Sequence, residues 1–209
     1  MSSKSFAIWT QSLNFHFSNW KTLLPVLPLL CLPVVGDVLH SLLIAQKVRE
    51  RELLPAQAVR EVWNLVPSVL TMKLYFEGAA ILWSFVPIYG IIRDIRHRLH
   101  WAMASNVIVF EKLSGEAGRM RCRELIQKEF ILGARTLLTV PALLIVGFLL
   151  AWLIGGMVFE ALYSFGFWVF LAIIFWMIIP ASGAVNTFLY LEMRSREAAS
   201  PPGNEPRGR

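Results

Sequence analysis

The sequence predicts an all-α fold, an integral membrane bundle of four transmembrane helices with amphipathic surface helices. Three observations carry that prediction. The 209 residues are 56% apolar and only 16% charged, with a mean hydropathy of +0.56, whereas water-soluble domains run at about a quarter charged. The apolar residues are gathered into four blocks, 22–45, 68–92, 136–157 and 167–191. Each is long enough as a helix to cross a hydrocarbon core about 30 Å thick, and that core admits no open backbone. Third, nine of the twenty Lys and Arg residues fall within 93–135, between the second and third blocks. Such a concentration of positive charge marks the cytoplasmic side. Residues 1–193 therefore read as one membrane domain, and 194–209, rich in Pro, Gly and charge, as a disordered cytoplasmic tail.

At the N-terminus, Phe6, Trp9, Leu13, Phe17 and Trp20 recur at helical spacing, with Thr10, Gln11, Asn14 and Ser18 largely opposite. That pattern predicts an interfacial helix whose aromatic face enters the membrane surface. The first span contains Pro25, Pro28 and Pro33, each of which removes a backbone donor and kinks a helix. Residues 46–67 mix Lys47, Arg49, Arg51 and Arg60 with Glu50, Glu52 and Glu61. Pro55 suits a first helical turn, and Val59, Val62, Trp63 and Val66 then share the face of a second surface helix leading into span two. The apolar run 99–110 would extend about 18 Å as a helix, too short to cross, so it is expected to be re-entrant or interfacial. In 119–133, Cys122, Leu125, Ile126 and Phe130 share one face while Arg121, Arg123 and Lys128 lie on the others. This is an in-plane amphipathic helix, with Ser114 as the N-cap before it. Residues 158–166 carry no Lys or Arg and read as a hairpin on the non-cytoplasmic side. With both termini and 93–135 inside, fifteen Lys and Arg lie inside against four outside, which places both termini in the cytoplasm.

Ionisable residues within spans are costly and are functional candidates. Asp37 and His40 lie one turn apart in span one, Lys73 and Glu77 one turn apart in span two. At 1.5 Å per residue, Asp37 and Lys73 both fall about 8 Å from the outer face, with His40 above them and Glu77 below. Three readings follow. The four line an outward-opening, proton-responsive pocket, or Asp37 and Lys73 form a salt bridge that pins two spans, or Lys73 is neutralised locally by Glu77 one turn away. Arg119, Arg121, Arg123 and Lys128 are candidate contacts for an anionic lipid headgroup; their charge also serves topology alone. Gly147, Ala151 and Gly155, with Ala181 to Ala184, allow close helix approach in a hairpin or at a dimer face.

No catalytic constellation, cofactor motif or metal set is found: His97 and His100 have no third ligand at a fitting spacing and are flanked by Arg96 and Arg98. The basic residues flank spans without groove-reading patterns, so the partner they imply is lipid rather than nucleic acid. Cys31 and Cys122 are expected far apart, with no disulfide.

The order of aromatic surface helix, two spans, a short apolar run ending in Glu111 and a basic helix resembles the YciC-like bacterial membrane proteins. It is also similar to the membrane domain that accompanies some glycerophosphodiester phosphodiesterases. In those families the Glu leads into an Ala-x-x-x-Ser-x-x-Leu helix and a Phe-x-x-Gly. Here Gly118, Cys122, Leu125, Phe130 and Gly133 stand at those positions, so two depart; Tyr190, Leu191 and Arg194 fit a closing Tyr-Leu-x-x-Arg. The resemblance implies a bacterial inner membrane and no phosphodiesterase chemistry, which belongs to a separate domain. The function class expected is a non-enzymatic multi-pass protein that engages anionic lipid or a membrane partner, with homo-oligomers open, in envelope organisation. The alternative is a small-solute or ion transport component built on Asp37, His40, Lys73 and Glu77.

Overall fold

The computed structural model describes residues 3–49, 52–80, 87–158 and 179–199. Those residues are helical almost throughout, with no strand among them. Helix α1 (Ser3–Ser18) is followed by a broken passage: α2 (Trp20–Leu23), a 3₁₀ turn (Leu24–Val26) and α3 (Leu27–Leu30). Then come α4 (Pro33–Val48), α5 (Pro55–Ala80), α6 (Pro87–Asn106), a π-helical turn (Val107–Glu111), α7 (Gly115–Val158) and α8 (Ile179–Ala199). Pro33 and Pro55 each open a helix, where the missing N–H costs nothing and the fixed φ helps.

The first span is therefore not one kinked helix over 22–45. Three prolines within nine residues break it, and the chain changes direction at Cys31 and Leu32 before α4 starts. The turn is tight. Gly36 donates its N–H to the Leu32 carbonyl at 2.6 Å and backs onto the Leu30 carbonyl so closely that a Cβ there would overlap it. Gly36→Ala should accordingly lower the melting temperature by several degrees, on the order of 2 kcal/mol of strain; an unchanged thermal melt would show that the turn relaxes.

The block 68–92 also departs from a single crossing helix. Helix α5 begins at Pro55, runs through Pro67 and ends its described course at Ala80, and α6 is described from Pro87. Glu61 of α5 meets Lys112 just beyond the π turn, while Lys73 meets Trp101 of α6. The two helices are antiparallel partners. The expected surface helix and the start of span two are thus one element, buried through Ala58, Val62, Val69 and Met72, with Trp63 turned outward.

Two surface assignments are corrected. Helix α1 is docked in the bundle, not laid on its aromatic face: Ser5, Ile8, Trp9, Ser12 and Phe15 are buried, whereas Phe6 is 62% and Phe17 58% exposed. Small serines allow the close approach. Trp9 donates to the Thr136 carbonyl at 3.1 Å and Ser12 to the Ala181 carbonyl at 2.7 Å. The run 99–110 is not interfacial either; Leu99, Ala102, Met103, Ala104, Val107, Ile108 and Val109 form the centre of the core. A run too short to cross a bilayer is long enough to fill the middle of a bundle.

The connector helix follows the periodicity. Ser114 precedes α7, and Cys122, Leu125 and Ile126 are buried, with Phe130 packed beside them. Helix α7 continues for 44 residues with a kink at Glu129. Helix α8 runs to Ala199, so 194–199 belong to a helix rather than to a disordered tail; 200–209 and, beyond Val158, the segment 158–166 expected to form a hairpin lie outside the described residues. Ala181 and Ala184 are buried, and Gly183 lies under α4, so this small-residue run serves packing within the chain. Gly147, Ala151 and Gly155 have side chains outside the described set. Among the described residues no helix is long and apolar enough to cross a membrane; the side chains of 75–80, 87–95 and 140–158 and all of 81–86 and 159–178 lie outside the described set.

Candidate functional site

Asp37 leaves the first turns of α4 and Lys73 the middle of α5, and the Lys73 ammonium donates to Asp37 Oδ2 at 2.5 Å. The lysine is fully buried and the carboxylate nearly so. Trp101 of α6 completes the pocket, its ring centroid 4.3 Å from the ammonium, an arrangement worth about 2 kcal/mol or more when desolvated. Asn186 of α8 adds a hydrogen bond to Asp37. Four helices thus converge on one ion pair. Glu77 lies on α5, one turn on, with its side chain outside the described residues.

His40 is brought to the same helix but not to the same cluster. Its Nδ1 donates to the Gly36 carbonyl at 2.7 Å, and its Nε2 faces His16 Nε2 of α1 at 3.1 Å. The imidazole lies flat against Gly183, where a Cβ would come within 2.6 Å of Nδ1. Next to it, the Ser41 hydroxyl lies 2.8 Å from the Asp37 carbonyl, 2.9 Å from Asn106 Oδ1 and 3.4 Å from the Thr187 hydroxyl. Asn106 Nδ2 donates to the Ala102 carbonyl. The interior between α4, α6 and α8 is therefore polar and closed by its own hydrogen bonds. A cavity of about 90 Å³ lies elsewhere, lined by Leu42, Gln46, Arg49, Glu52, Glu61 and Lys112 among others, and touches none of Asp37, His40 or Lys73.

The four basic candidates separate. Arg121 places Nε on both Glu111 oxygens (2.9 and 3.1 Å) and its terminal nitrogens on Glu124 and Glu197. Lys128 pairs with Glu124 and Glu197, and Arg119 with Glu116. Arg123 alone of the four is exposed without an ion pair among the described residues. Tyr190 donates to Glu111 Oε1 at 2.7 Å. The hydrogen bonds that Arg121 donates to Glu197 and Glu111, working against burial, raise the Arg121 pKa further above its ordinary value, and those from Arg121 and Lys128 draw Glu197 down to about 2. Two cations here meet three carboxylates. This is a structural latch between α7, α8 and the π turn rather than an anion site.

The π turn aims Glu111 at that latch, and the chain then leaves through Lys112 in a left-handed conformation (φ 60°). Behind it, Cys122 is buried against Glu111, and both effects push its thiol up to about 12. It should stay unmodified by an alkylating reagent at pH 8 until the protein is unfolded; labelling of the folded protein at Cys122 would show that α7 lifts away from the core.

No family model matches this chain, and no curated protein or solved structure does. Of the residues that carried the resemblance, Glu111 and Tyr190 are hydrogen-bonded to each other. His16, Trp101, Asn106, Tyr190 and Glu197 were not legible as site residues. Each lies on a different element from the group it contacts, between 24 and 76 residues away for the bonds to His40, Ser41 and Arg121.

Proposed function

We propose that this chain is a non-enzymatic multi-pass membrane protein of the bacterial inner membrane, with both termini cytoplasmic, that engages anionic lipid or a membrane partner in envelope organisation. The observation that carries it is the build of α7. Helix α7, kinked at Glu129, is charged from Glu116 to Arg135 and carries no charged residue from Thr136 to Val158. A helix charged in one half and wholly uncharged over about 33 Å in the other suits entry from a cytoplasmic body into a hydrocarbon core. The resemblance to YciC-like proteins points the same way. Reporter fusions test it: a fusion after Val158 should read as external, and fusions after Lys112 and Ala199 as cytoplasmic. Release of the intact protein by a high-pH carbonate wash would end the membrane reading.

The lipid contact moves along α7. With Arg119, Arg121 and Lys128 committed to carboxylates, the outward stripe is Met120, Arg123, Ile131, Arg135 and Leu138, all exposed. Apolar side chains alternating with exposed arginines, just before the uncharged half begins, suit the headgroup level. Arg123→Gln with Arg135→Gln should cut retention of anionic lipid in native mass spectrometry by roughly thirtyfold, at about 1 kcal/mol per charge. Equal retention would place the lipid elsewhere. A transport role for Asp37, His40, Lys73 and Glu77 stands second, because Asp37 and Lys73 are paired and enclosed instead of lining a wet path.

A further inference from the structure

The contact between His16 and His40 poses a question of proton count. Each Nδ1 faces a backbone carbonyl, Ser12 O at 2.9 Å and Gly36 O at 2.7 Å. A carbonyl only accepts, so both Nδ1 atoms must carry hydrogen. A neutral imidazole has one N–H, which leaves each Nε2 with a bare lone pair. Yet the two Nε2 atoms lie 3.1 Å apart, the separation of an N–H···N hydrogen bond, with the ring centroids 5.2 Å apart. Two neutral rings would therefore press lone pair against lone pair inside a closed site.

We infer that His16 and His40 together hold one additional proton between their Nε2 atoms, forming a single-charge proton site that clamps α1 onto α4. Three ring protons serve four nitrogens, and every polar atom of both rings is satisfied. His40 is fully buried and His16 only partly so, which makes His16 the route by which the proton enters. A metal ion is the other species that two converging lone pairs receive, but it needs further ligands, and no cluster of three His, Cys, Asp or Glu exists among the described residues.

The surroundings leave the pair in control of its own charge. On α4 the nearest ionisable group is Asp37, already closed on Lys73 of α5. On α8 the covering segment, Ala181 to Thr187, has no titratable side chain, and α7 contributes Thr136 near α1. Lys4 lies three turns away on α1, and Lys21 sits over Trp20 in α2. Burial opposes a charge on His16; the two carbonyls and the partner nitrogen favour it. Removing the proton restores the lone-pair clash, and adding a second sets two imidazolium ions 3.1 Å apart. Both changes loosen α1, so stability peaks at intermediate pH and falls on either side.

The test uses the full chain in mild detergent with ¹⁵N-labelled histidine. At the pH of greatest stability, NMR should find three of the four ring nitrogens of His16 and His40 protonated, with coupling across the shared hydrogen. The melting temperature should fall by ~4 °C or more on each side of that pH. His16→Gln, whose amide donates to His40 Nε2 without a titratable proton, should flatten that profile. If His16→Gln does not fold, the spectrum of the unaltered protein decides. Two neutral rings with both Nε2 bare in the folded state would overturn the assignment. So would a stoichiometric metal ion, detected by elemental mass spectrometry, that His40→Gln abolishes.

Discussion

Lys73→Ala is expected to destabilise the protein by about 3–5 kcal/mol, because it strands the buried Asp37 carboxylate. The lysine is fully enclosed, and its ammonium is shared between Asp37 and the Trp101 face. Asp37→Ala should cost a similar amount, leaving the ammonium in an apolar pocket with only an aromatic face to hold it. The double replacement should cost less than the two losses added, by a coupling of roughly 1–3 kcal/mol. Chemical unfolding of the four proteins in detergent measures this directly. Additive losses would show that the two groups act independently. A further variant separates pairing from function: Asp37→Leu with Lys73→Met replaces the pair by apolar groups of similar size. It should fold about as stably as the wild type, since well-packed apolar replacements of buried pairs are often neutral. If it folds but loses whatever the cell requires of the protein, the pair has a role beyond pinning helices.

The pairing of Asp37 with Lys73 was one of the readings the sequence offered, but the count of rise that set the two at one level assumed a helix from residue 22 that the prolines break. Charge complementarity was the stronger constraint: a buried ammonium must find a carboxylate, and few were available. Periodicity also located the buried face of α7, because Arg and Lys on its other sides leave Cys122, Leu125 and Ile126 no alternative direction. It failed on α1, where both faces carry aromatic residues. Hydropathy reports that Phe6 and Trp9 are both apolar and cannot say which meets protein; the deciding groups were Ser5 and Ser12, whose small size lets α1 approach α7 and α8. It failed again on 99–110, since an apolar run reveals a dry environment but not whether lipid or protein supplies it. The His16–His40 contact had no local signal at all. It joins a half-buried residue on one helix to a buried one across three intervening breaks in the chain.

The connector looked like a field of positive charge, and the second large effect comes from what the structure places beside that charge. Arg121→Ala should cost about 3 kcal/mol or more, because Glu111 is held by Arg121 and Tyr190 together, and Glu197 loses its closest cation. Arg121→Lys should rescue little: one ammonium cannot reproduce the fork that spans Glu111, Glu124 and Glu197. The same latch sets an acid limit. Glu197 is drawn from 4.5 to about 2 by Arg121 and Lys128, and Glu124 is lowered by Lys128 and Arg121. A carboxylate whose folded pKa lies below its unfolded value contributes fully above the unfolded pKa and loses that contribution as pH falls through the folded one. Stability of the α7–α8 contact should therefore hold down to pH 4.5 and decline between there and about 2. Glu197→Gln should be less stable at neutral pH and show a shallower acid decline. Amide exchange along 192–199 would follow the contact itself. If that exchange in the wild type is no faster at pH 3 than Glu197→Gln predicts, the ion pairs do not hold α8 and the core contacts of Tyr190 and Met193 hold it instead.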